Sequence, residues 1–166
     1  PAPDIDGGRP RAWRMKTSSY RLNPSDPLIA HKTASRMTNV LAKAEAEEDG
    51  YDDAFFINLD GNVVEATCAN VFWLEGNLVC TPPLGSGALP GVTRRAILDI
   101  CRTLGIRTEE KDLPLNRLTV VDGAFLTLSS LGVIEIGRVD QSIFPIHETT
   151  RNLHREWWNT VVTETR

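Results

Sequence analysis

The stretch Leu89-Pro90-Gly91-Val92-Thr93-Arg94 closes a loop rich in proline and glycine and opens an amphipathic helix. The first N–H groups of a helix have no partner inside the helix, so they can bind an anion. Glycine lets the backbone approach a ligand closely, and the hydroxyl of Thr93 adds one more donor. The stretch therefore predicts an anion-binding turn, although many ordinary loops enter helices in the same way.

Two further residues could act together with this turn. Lys32 follows the apolar residues 28–30 and lies between a predicted extended segment and a predicted helix. Glu65 lies among β-branched and aromatic residues at the end of a predicted strand, where a carboxylate is costly unless it has a partner. Each residue alone has an ordinary alternative: a solvated lysine at a helix start, and an edge-strand glutamate that faces water. Together, the amine, the carboxylate and the anion-binding turn are the groups that pyridoxal phosphate chemistry requires.

The composition excludes several classes of protein. A chain of 166 residues, 41% hydrophobic and 24% charged, is typical of one globular domain. The net charge of −4 argues against a nucleic-acid surface, and we expect neither a membrane span nor a signal peptide. Cys68, Cys80 and Cys101 are odd in number and lack metal-binding or redox spacing, which is typical of a reduced, cytoplasmic protein. His147 and His154 have no third ligand in view, so we expect no metal site.

Hydrophobic periodicity and turn residues predict a mixed α+β domain. Residues 1–12 are predicted to be a linker or a cut end, and residues 13–166 to be the domain. The predicted strands cover residues 12–21, 54–59, 62–66, 70–74, 78–81, 106–111, 124–128 and 133–139. The predicted helices cover residues 33–48, 92–104, 114–119 and 147–163.

Two of these helices have predicted buried faces. In the helix over residues 33–48, the inward side chains are expected to be those of Met37, Val40, Leu41 and Ala44. In the helix over residues 92–104, they are expected to be those of Ala96, Ile97, Ile100, Cys101 and Leu104.

Four segments resemble, in order and spacing, the fold-type IV pyridoxal phosphate enzymes, which form the class IV aminotransferase family. The segments are His31-Lys32-Thr33, then Glu65-Ala66-Thr67-Cys68-Ala69-Asn70-Val71-Phe72, then Thr81-Pro82-Pro83 with residues 89–94, and then Phe125-Leu126-Thr127 through Ser130-Leu131. The family includes branched-chain aminotransferases, D-amino acid aminotransferases and aminodeoxychorismate lyase. The resemblance implies an α+β fold, in which a mixed sheet forms a pseudo-barrel with flanking helices.

The resemblance implies roles around the ring of the cofactor, pyridoxal 5'-phosphate. Lys32 corresponds to the lysine that forms an imine with the cofactor and then moves a proton. Glu65 corresponds to the carboxylate that pairs with the pyridine nitrogen, and Leu89 to the apolar residue packed on one face of the ring. His31 is expected to be structural and to face away from the site, because neighbours on an extended segment point to opposite sides.

The resemblance also implies a phosphate site. Val92 and Thr93 correspond to its backbone and hydroxyl donors. Ser130 is the best match for a later phosphate-binding hydroxyl, and Ser129 is the alternative. Arg94 is expected either to pair locally with an acid or to contribute to the phosphate site.

The chain departs from the family in two respects. Family members carry a smaller N-terminal domain before this region, which supplies an arginine to the phosphate and part of the substrate wall. We expect this chain to lack that domain, so that residues 13–166 resemble the large C-terminal domain alone and the fragment is impaired. Met37 stands where branched-chain enzymes have a tyrosine, five residues after Lys32, which argues against that subfamily.

The activity that the resemblance implies is that of an aminotransferase, which moves an amino group between an amino acid and a keto acid. The alternative is 4-amino-4-deoxychorismate lyase, and an alternative of another class is a non-catalytic binding domain that kept the fold. The expected partners are the small-molecule substrate, the missing N-terminal domain and a second copy in a homodimer.

Overall fold

Residues 12–164, described in a computed structural model, form nine strands and three α-helices. The strands are β1 (Trp13–Leu22), β2 (Asp53–Asn58), β3 (Val63–Ala66), β4 (Asn70–Glu75), β5 (Leu78–Thr81), β6 (Arg107–Glu110), β7 (Gly123–Leu128), β8 (Gly132–Val139) and β9 (Ser142–Ile143). The helices are α1 (Met37–Glu48), α2 (Val92–Thr103) and α3 (Glu148–Glu164), with short 3₁₀ helices at Leu84–Ser86 and Leu115–Val120. The predicted linker over residues 1–12 falls, except for Ala12, outside the described residues. None of the described helices has the length and apolar character needed to cross a bilayer.

Six of the strands close into a barrel. The strand order is β3-β2-β1-β8-β7-β4-β5-β6, and an additional pairing joins β3 to β4. This closure brings Glu65 of β3 opposite Asn70 of β4. β5 and β6 extend the sheet beyond β4, and the short β9 pairs with β8. The predicted mixed-sheet pseudo-barrel is therefore present.

Side chains along β4 alternate between two hydrophobic cores. On β4, Val71 and Trp73 belong to the core formed by the barrel strands. Phe72 and Leu74 point the other way and pack with residues of α2 and α3. Phe72 stacks on Phe125 of β7 with ring centroids 5.0 Å apart. Burying side chains of this size contributes about 1.5–3 kcal/mol each, so both faces of β4 are strongly held.

The predicted buried face of α1 is wrong. Met37, Val40 and Leu41 are 67%, 60% and 44% exposed, and Ala44 is also exposed. The buried residues are instead Ala42 and Ala46, which pack on Ala54 and Phe56 of β2. Small side chains let the helix approach the sheet closely, and the larger apolar residues are left on the outer side.

The other differences lie at the ends of elements. The first helix begins at Met37 and not at residue 33, and α2 ends at Thr103, which leaves Leu104 46% exposed. Ile97 and Cys101 are buried as predicted. The residues predicted as a short helix, 114–119, form a 3₁₀ helix, and the two-residue strand β9 has no counterpart among the predicted elements.

Gly132 begins β8 at a point where no other residue fits. Its φ is +70°, and an added Cβ would lie 2.3 Å from the ring of Trp157 on α3. Gly105 has the same φ of +70°, but nothing lies within 4 Å of its Cβ position. The pair separates the cost of backbone strain from the cost of a steric clash.

We predict that Gly132→Ala lowers the free energy of unfolding by about 2–5 kcal/mol, the sum of left-handed strain and overpacking. Gly105→Ala is the matched control and should lose only the strain, about 1–2 kcal/mol. Urea unfolding followed by tryptophan fluorescence measures both values. Equal losses would show that Trp157 does not pack against Gly132.

Candidate active site

A cavity of about 350 Å³ opens between the start of α2, the ends of β3, β4 and β7, and the segment before α1. Five of the six predicted site residues line it: Lys32, Glu65, Leu89, Val92 and Thr93. The fold therefore brings together an amine, a carboxylate and a helix start that are far apart in the sequence.

Glu65 supplies a buried carboxylate to this cavity. The residue is 8% exposed, and its Oε2 accepts hydrogen bonds from the N–H of Leu89 at 2.9 Å and from the amide of Asn70 at 3.4 Å. Burial raises the pKa of Glu65 to about 7, although the Leu89 N–H and the positive charges of Arg36 and Lys32 act to lower it. A carboxylate that is costly to ionise in this position gains most from a positively charged partner.

Polar side chains form a row across three neighbouring strands. Glu65 pairs with Asn70, and Asn70 pairs with Thr127 of β7. Cross-strand partners lie on one face of a sheet, and all three residues line the cavity. Thr127 is 2% exposed, and its hydroxyl has no hydrogen-bond partner among residues 12–164. Since a buried polar group without a partner is costly, the row contains an unused hydroxyl beside the cavity.

The first turn of α2 faces the same cavity. Gly91 is the N-cap, with an extended backbone, and the helix has no side-chain cap. Within residues 12–164, the N–H groups of Val92 and Thr93 have no hydrogen-bond acceptor. An added Cβ on Gly91 would lie 2.0 Å from Oδ1 of Asn70, so a larger residue would have to displace that side chain. The unpaired N–H groups and the positive end of the helix dipole together suit an anion.

Arg94 has a structural role. It is 5% exposed, and its Nη2 donates to Glu110 Oε2 at 2.7 Å and to the carbonyl of Pro82 at 3.1 Å. Of the two predicted alternatives, pairing with a local acid is the one observed. Arg94 thereby fastens α2 to β6 and to the loop that precedes the helix.

Lys32 lies on an irregular segment between β1 and α1, five residues before the helix begins. Its side chain is exposed and lines the cavity. His31 lines the cavity as well, so the prediction that it faces away is wrong. The reason is local, because residues 27–30 form turns and not an extended strand. Alternation of side chains therefore does not apply here.

The model of the family described as "Amino-transferase class IV" matches residues 5–139. The chain belongs to the class IV aminotransferase family. It is 35% identical over 147 residues to aminodeoxychorismate lyase of Vibrio harveyi, covering 86% of this chain and 54% of that protein. It is 34% identical over 146 residues to a protein of Synechocystis named probable branched-chain-amino-acid aminotransferase, and the match covers 86% of this chain and 46% of that protein. The chain thus spans about half the length of these curated relatives.

The solved structure of a branched-chain amino acid aminotransferase from Thermobaculum terrenum, in its pyridoxal phosphate form, has the same fold. The TM-score is 0.87 at 27% identity, and the match covers 98% of this chain and 54% of that one. The predicted fold-type IV architecture is confirmed. Class IV aminotransferases use pyridoxal 5'-phosphate as their cofactor.

The residues of the cavity fit this cofactor. A buried carboxylate with a raised pKa, Glu65, suits a protonated ring nitrogen, and the uncapped N–H groups of α2 suit a phosphate. Leu89, held by its own N–H to Glu65, supplies an apolar side chain beside both groups. Among the described residues, no cluster of His, Cys, Asp and Glu could hold a metal ion.

The sixth predicted residue, Ser130, is not among those that line the cavity, whereas its alternative Ser129 is. Sequence reasoning also missed Arg36, Asn70 and Thr127. Asn70 could have been found from the sequence, because it lies in the segment Glu65–Phe72 that carries the family resemblance and it begins the next predicted strand. Arg36 and Thr127 have ordinary neighbours in the sequence, and only the fold places them here.

The raised pKa of Glu65 makes the stability of the cofactor-free protein depend on pH. In the unfolded chain this carboxyl ionises near 4.5, but in the folded chain it holds its proton up to about pH 7. Stability is therefore lost as pH rises from about 4.5 to about 7, by about 3 kcal/mol for a shift of this size.

We predict that Glu65→Gln stabilises the cofactor-free protein at pH 8 by up to about 3 kcal/mol and changes little at pH 4.5. Urea unfolding at both pH values measures the difference. Glu75→Gln is a control of opposite sign, because hydrogen bonds from Lys111 and Trp73 lower the pKa of Glu75. That variant should lose stability at pH 8. A gain for Glu65→Gln that is the same at both pH values would contradict the buried, titrating carboxylate.

Proposed function

We propose that this chain is the cofactor-binding domain of a pyridoxal phosphate-dependent aminotransferase, which moves an amino group between an amino acid and a keto acid. The supporting observation is that Lys32, Glu65 and the uncapped start of α2 line one cavity. When bound, pyridoxal phosphate takes into its ring the electron pair left when a bond at the substrate α-carbon breaks. The residues of the chain bind and orient the cofactor and the substrate, and they move the protons.

Glu65 is proposed to face the ring nitrogen. Its carboxylate is fixed by the Leu89 N–H at 2.9 Å and lies on a paired strand. Opposite a positive charge, the ionised form of Glu65 is favoured, and the carboxylate in turn keeps the nitrogen protonated. The same burial that raises the pKa of Glu65 excludes water from this contact and strengthens it.

Lys32 is proposed to supply the amine that holds the cofactor and accepts the proton from the substrate α-carbon. Leu89 is proposed to pack on one face of the ring. The N–H groups of Val92 and Thr93, with the Thr93 hydroxyl, are proposed to bind the phosphate. Ser129 lines the cavity and is the hydroxyl that we propose for the later phosphate contact in place of Ser130.

Aminodeoxychorismate lyase is the second candidate. It is favoured by the relative from Vibrio harveyi, which is 35% identical to this chain, and by Met37 at the position of the branched-chain tyrosine. A lyase would use the same Lys32 and Glu65, since both reactions begin with loss of the α-proton. A non-catalytic domain would need neither residue.

We also propose that the protein works in the cytoplasm. Burial raises the pKa of Cys80 and Cys101 to about 11. Cys68 is exposed as a residue, but desolvation of its thiol and the nearby Asp53 carboxylate raise its pKa to about 12. All three are free thiols that resist ionisation, as suits a reducing cytoplasm.

We propose a homodimer that acts on small amino and keto acids.

We predict that borohydride reduction of the cofactor-loaded protein leaves a pyridoxyl group on Lys32, because that amine lines the cavity beside Glu65. Mass spectrometry of the tryptic peptides locates the modification. Lys32→Ala should lose the label, the visible absorbance and nearly all turnover.

Lys43→Ala is the matched control, because Lys43 on α1 binds the Asp52 carbonyl and Glu47 and is not among the residues that line the cavity. It should keep both the label and the turnover. Near-normal turnover in Lys32→Ala, or a label that survives there, would refute the role assigned to Lys32.

A half-reaction separates the two candidate activities. The full-length protein is mixed with a set of amino acids and no acceptor, and its absorbance and products are followed. We predict conversion to the pyridoxamine form with one equivalent of keto acid, because an aminotransferase keeps the amino group until a second substrate arrives. Release of pyruvate from aminodeoxychorismate, with no conversion by any amino donor, would establish the lyase instead.

A further inference from the structure

Asn70 connects the two halves of the cavity. Its Nδ2 donates to the carbonyl of Leu89 at 2.8 Å and to Oε2 of Glu65 at 3.4 Å. The N–H of Leu89 donates to the same Oε2 at 2.9 Å. Both the N–H and the carbonyl of Leu89 are therefore hydrogen-bonded. Both bonds depend on the strand pair that carries Glu65 and Asn70.

The other side of the Asn70 amide lies against Gly91. An added Cβ on Gly91 would come within 2.0 Å of Oδ1 and 3.2 Å of Cγ. The orientation of the amide agrees with its neighbours, because both groups near Nδ2 are hydrogen-bond acceptors. A side chain at Gly91 would therefore have to displace the Asn70 amide.

Asn70 itself lies on rigid structure. It is 6% exposed, begins β4, and pairs with Glu65 on one side and Thr127 on the other. The loop it holds, by contrast, has no regular structure between the 3₁₀ helix Leu84–Ser86 and α2. A side chain on a paired strand thus holds the end of a loop that has no regular structure of its own.

We propose that Asn70 is a positioning residue that sets the distance between the Glu65 carboxylate and the start of α2. The proposal rests on the proposed function, in which those two groups hold opposite ends of one cofactor. A loop displaced by 1 Å would leave the ring nitrogen or the phosphate out of reach of its partner. The amide acts through Glu65 and Leu89 and needs no contact with the cofactor.

The test compares Asn70→Ser with Asn58→Ser in the cofactor-free protein. Asn58 is a matched control, because it is 2% exposed and its Nδ2 binds at 3.2 Å the carbonyl of Ser86, the last residue of the 3₁₀ helix that precedes the loop. Hydrogen exchange of the Leu89 N–H should accelerate about tenfold in Asn70→Ser, the effect of losing one hydrogen bond. It should be unchanged in Asn58→Ser.

The second readout is the titration of Glu65, followed by carboxyl ¹³C NMR. Asn70→Asp keeps the shape of the side chain but adds a negative charge, so the midpoint of Glu65 should rise above that of the wild type. The charged and titratable groups around this carboxyl are Lys32, Arg36, His31 and Cys68, and all are retained in the variant. Asn58→Asp should leave the midpoint in place.

Gly91→Ala tests the same contact with Asn70 intact, since its methyl group must displace Oδ1. It should accelerate Leu89 exchange as Asn70→Ser does, and it serves if the Asn70 variants do not fold. Unchanged Leu89 exchange in either folded variant would overturn the positioning role. That outcome would leave the cofactor assignment standing, because the label on Lys32 is measured separately in the wild-type protein.

Discussion

The hydrogen bond from the Leu89 N–H to Glu65 joins a strand to a loop 24 residues away, and the cavity depends on it. One end of this contact belongs to the barrel, because β3 is held by β2 and β4. The other end leads within three residues into α2. The contact therefore determines how far the buried carboxylate lies from the uncapped helix start. The amide of Asn70, which binds the carbonyl of the same Leu89, supports the same separation.

The buried carboxylate and the unsatisfied polar groups of the cavity lower the stability of the domain when no cofactor is bound. Burial raises the pKa of Glu65 to about 7, so keeping it ionised at neutral pH costs free energy that a solvated glutamate would not. The unused hydroxyl of Thr127 and the uncapped helix start add to the cost. The two hydrophobic cores on either side of β4 offset it. Polar groups that are poorly satisfied in the protein alone are those that a charged, phosphorylated ligand would satisfy.

The sequence predicted the strands and α2 well because their signals are local. Alternation, an Asp-Gly turn and a glycine after α2 each depend on neighbouring residues. The buried face of α1 was wrong because the choice between Met37 and Ala42 depends on how closely the helix approaches Phe56, which is a tertiary matter. The position of Asn70 against Gly91 depends likewise on barrel closure. The family resemblance supplied five residues that do line the cavity, but it did not separate Ser129 from Ser130.

The two proposed partners of the ring differ in the backbone that carries them, and the difference suits their tasks. Glu65 has only to hold a charge at a fixed point, and it lies on a strand paired on both sides. Lys32 has to take a proton from one atom and deliver it to another, and it lies on an irregular segment with an exposed side chain. A rigid amine could serve only one of those positions, whereas a mobile carboxylate would lose the preorganisation that makes its charge effective. The barrel therefore fixes the position of Glu65, whereas Lys32, the proposed proton carrier, lies on a segment outside the helices and strands.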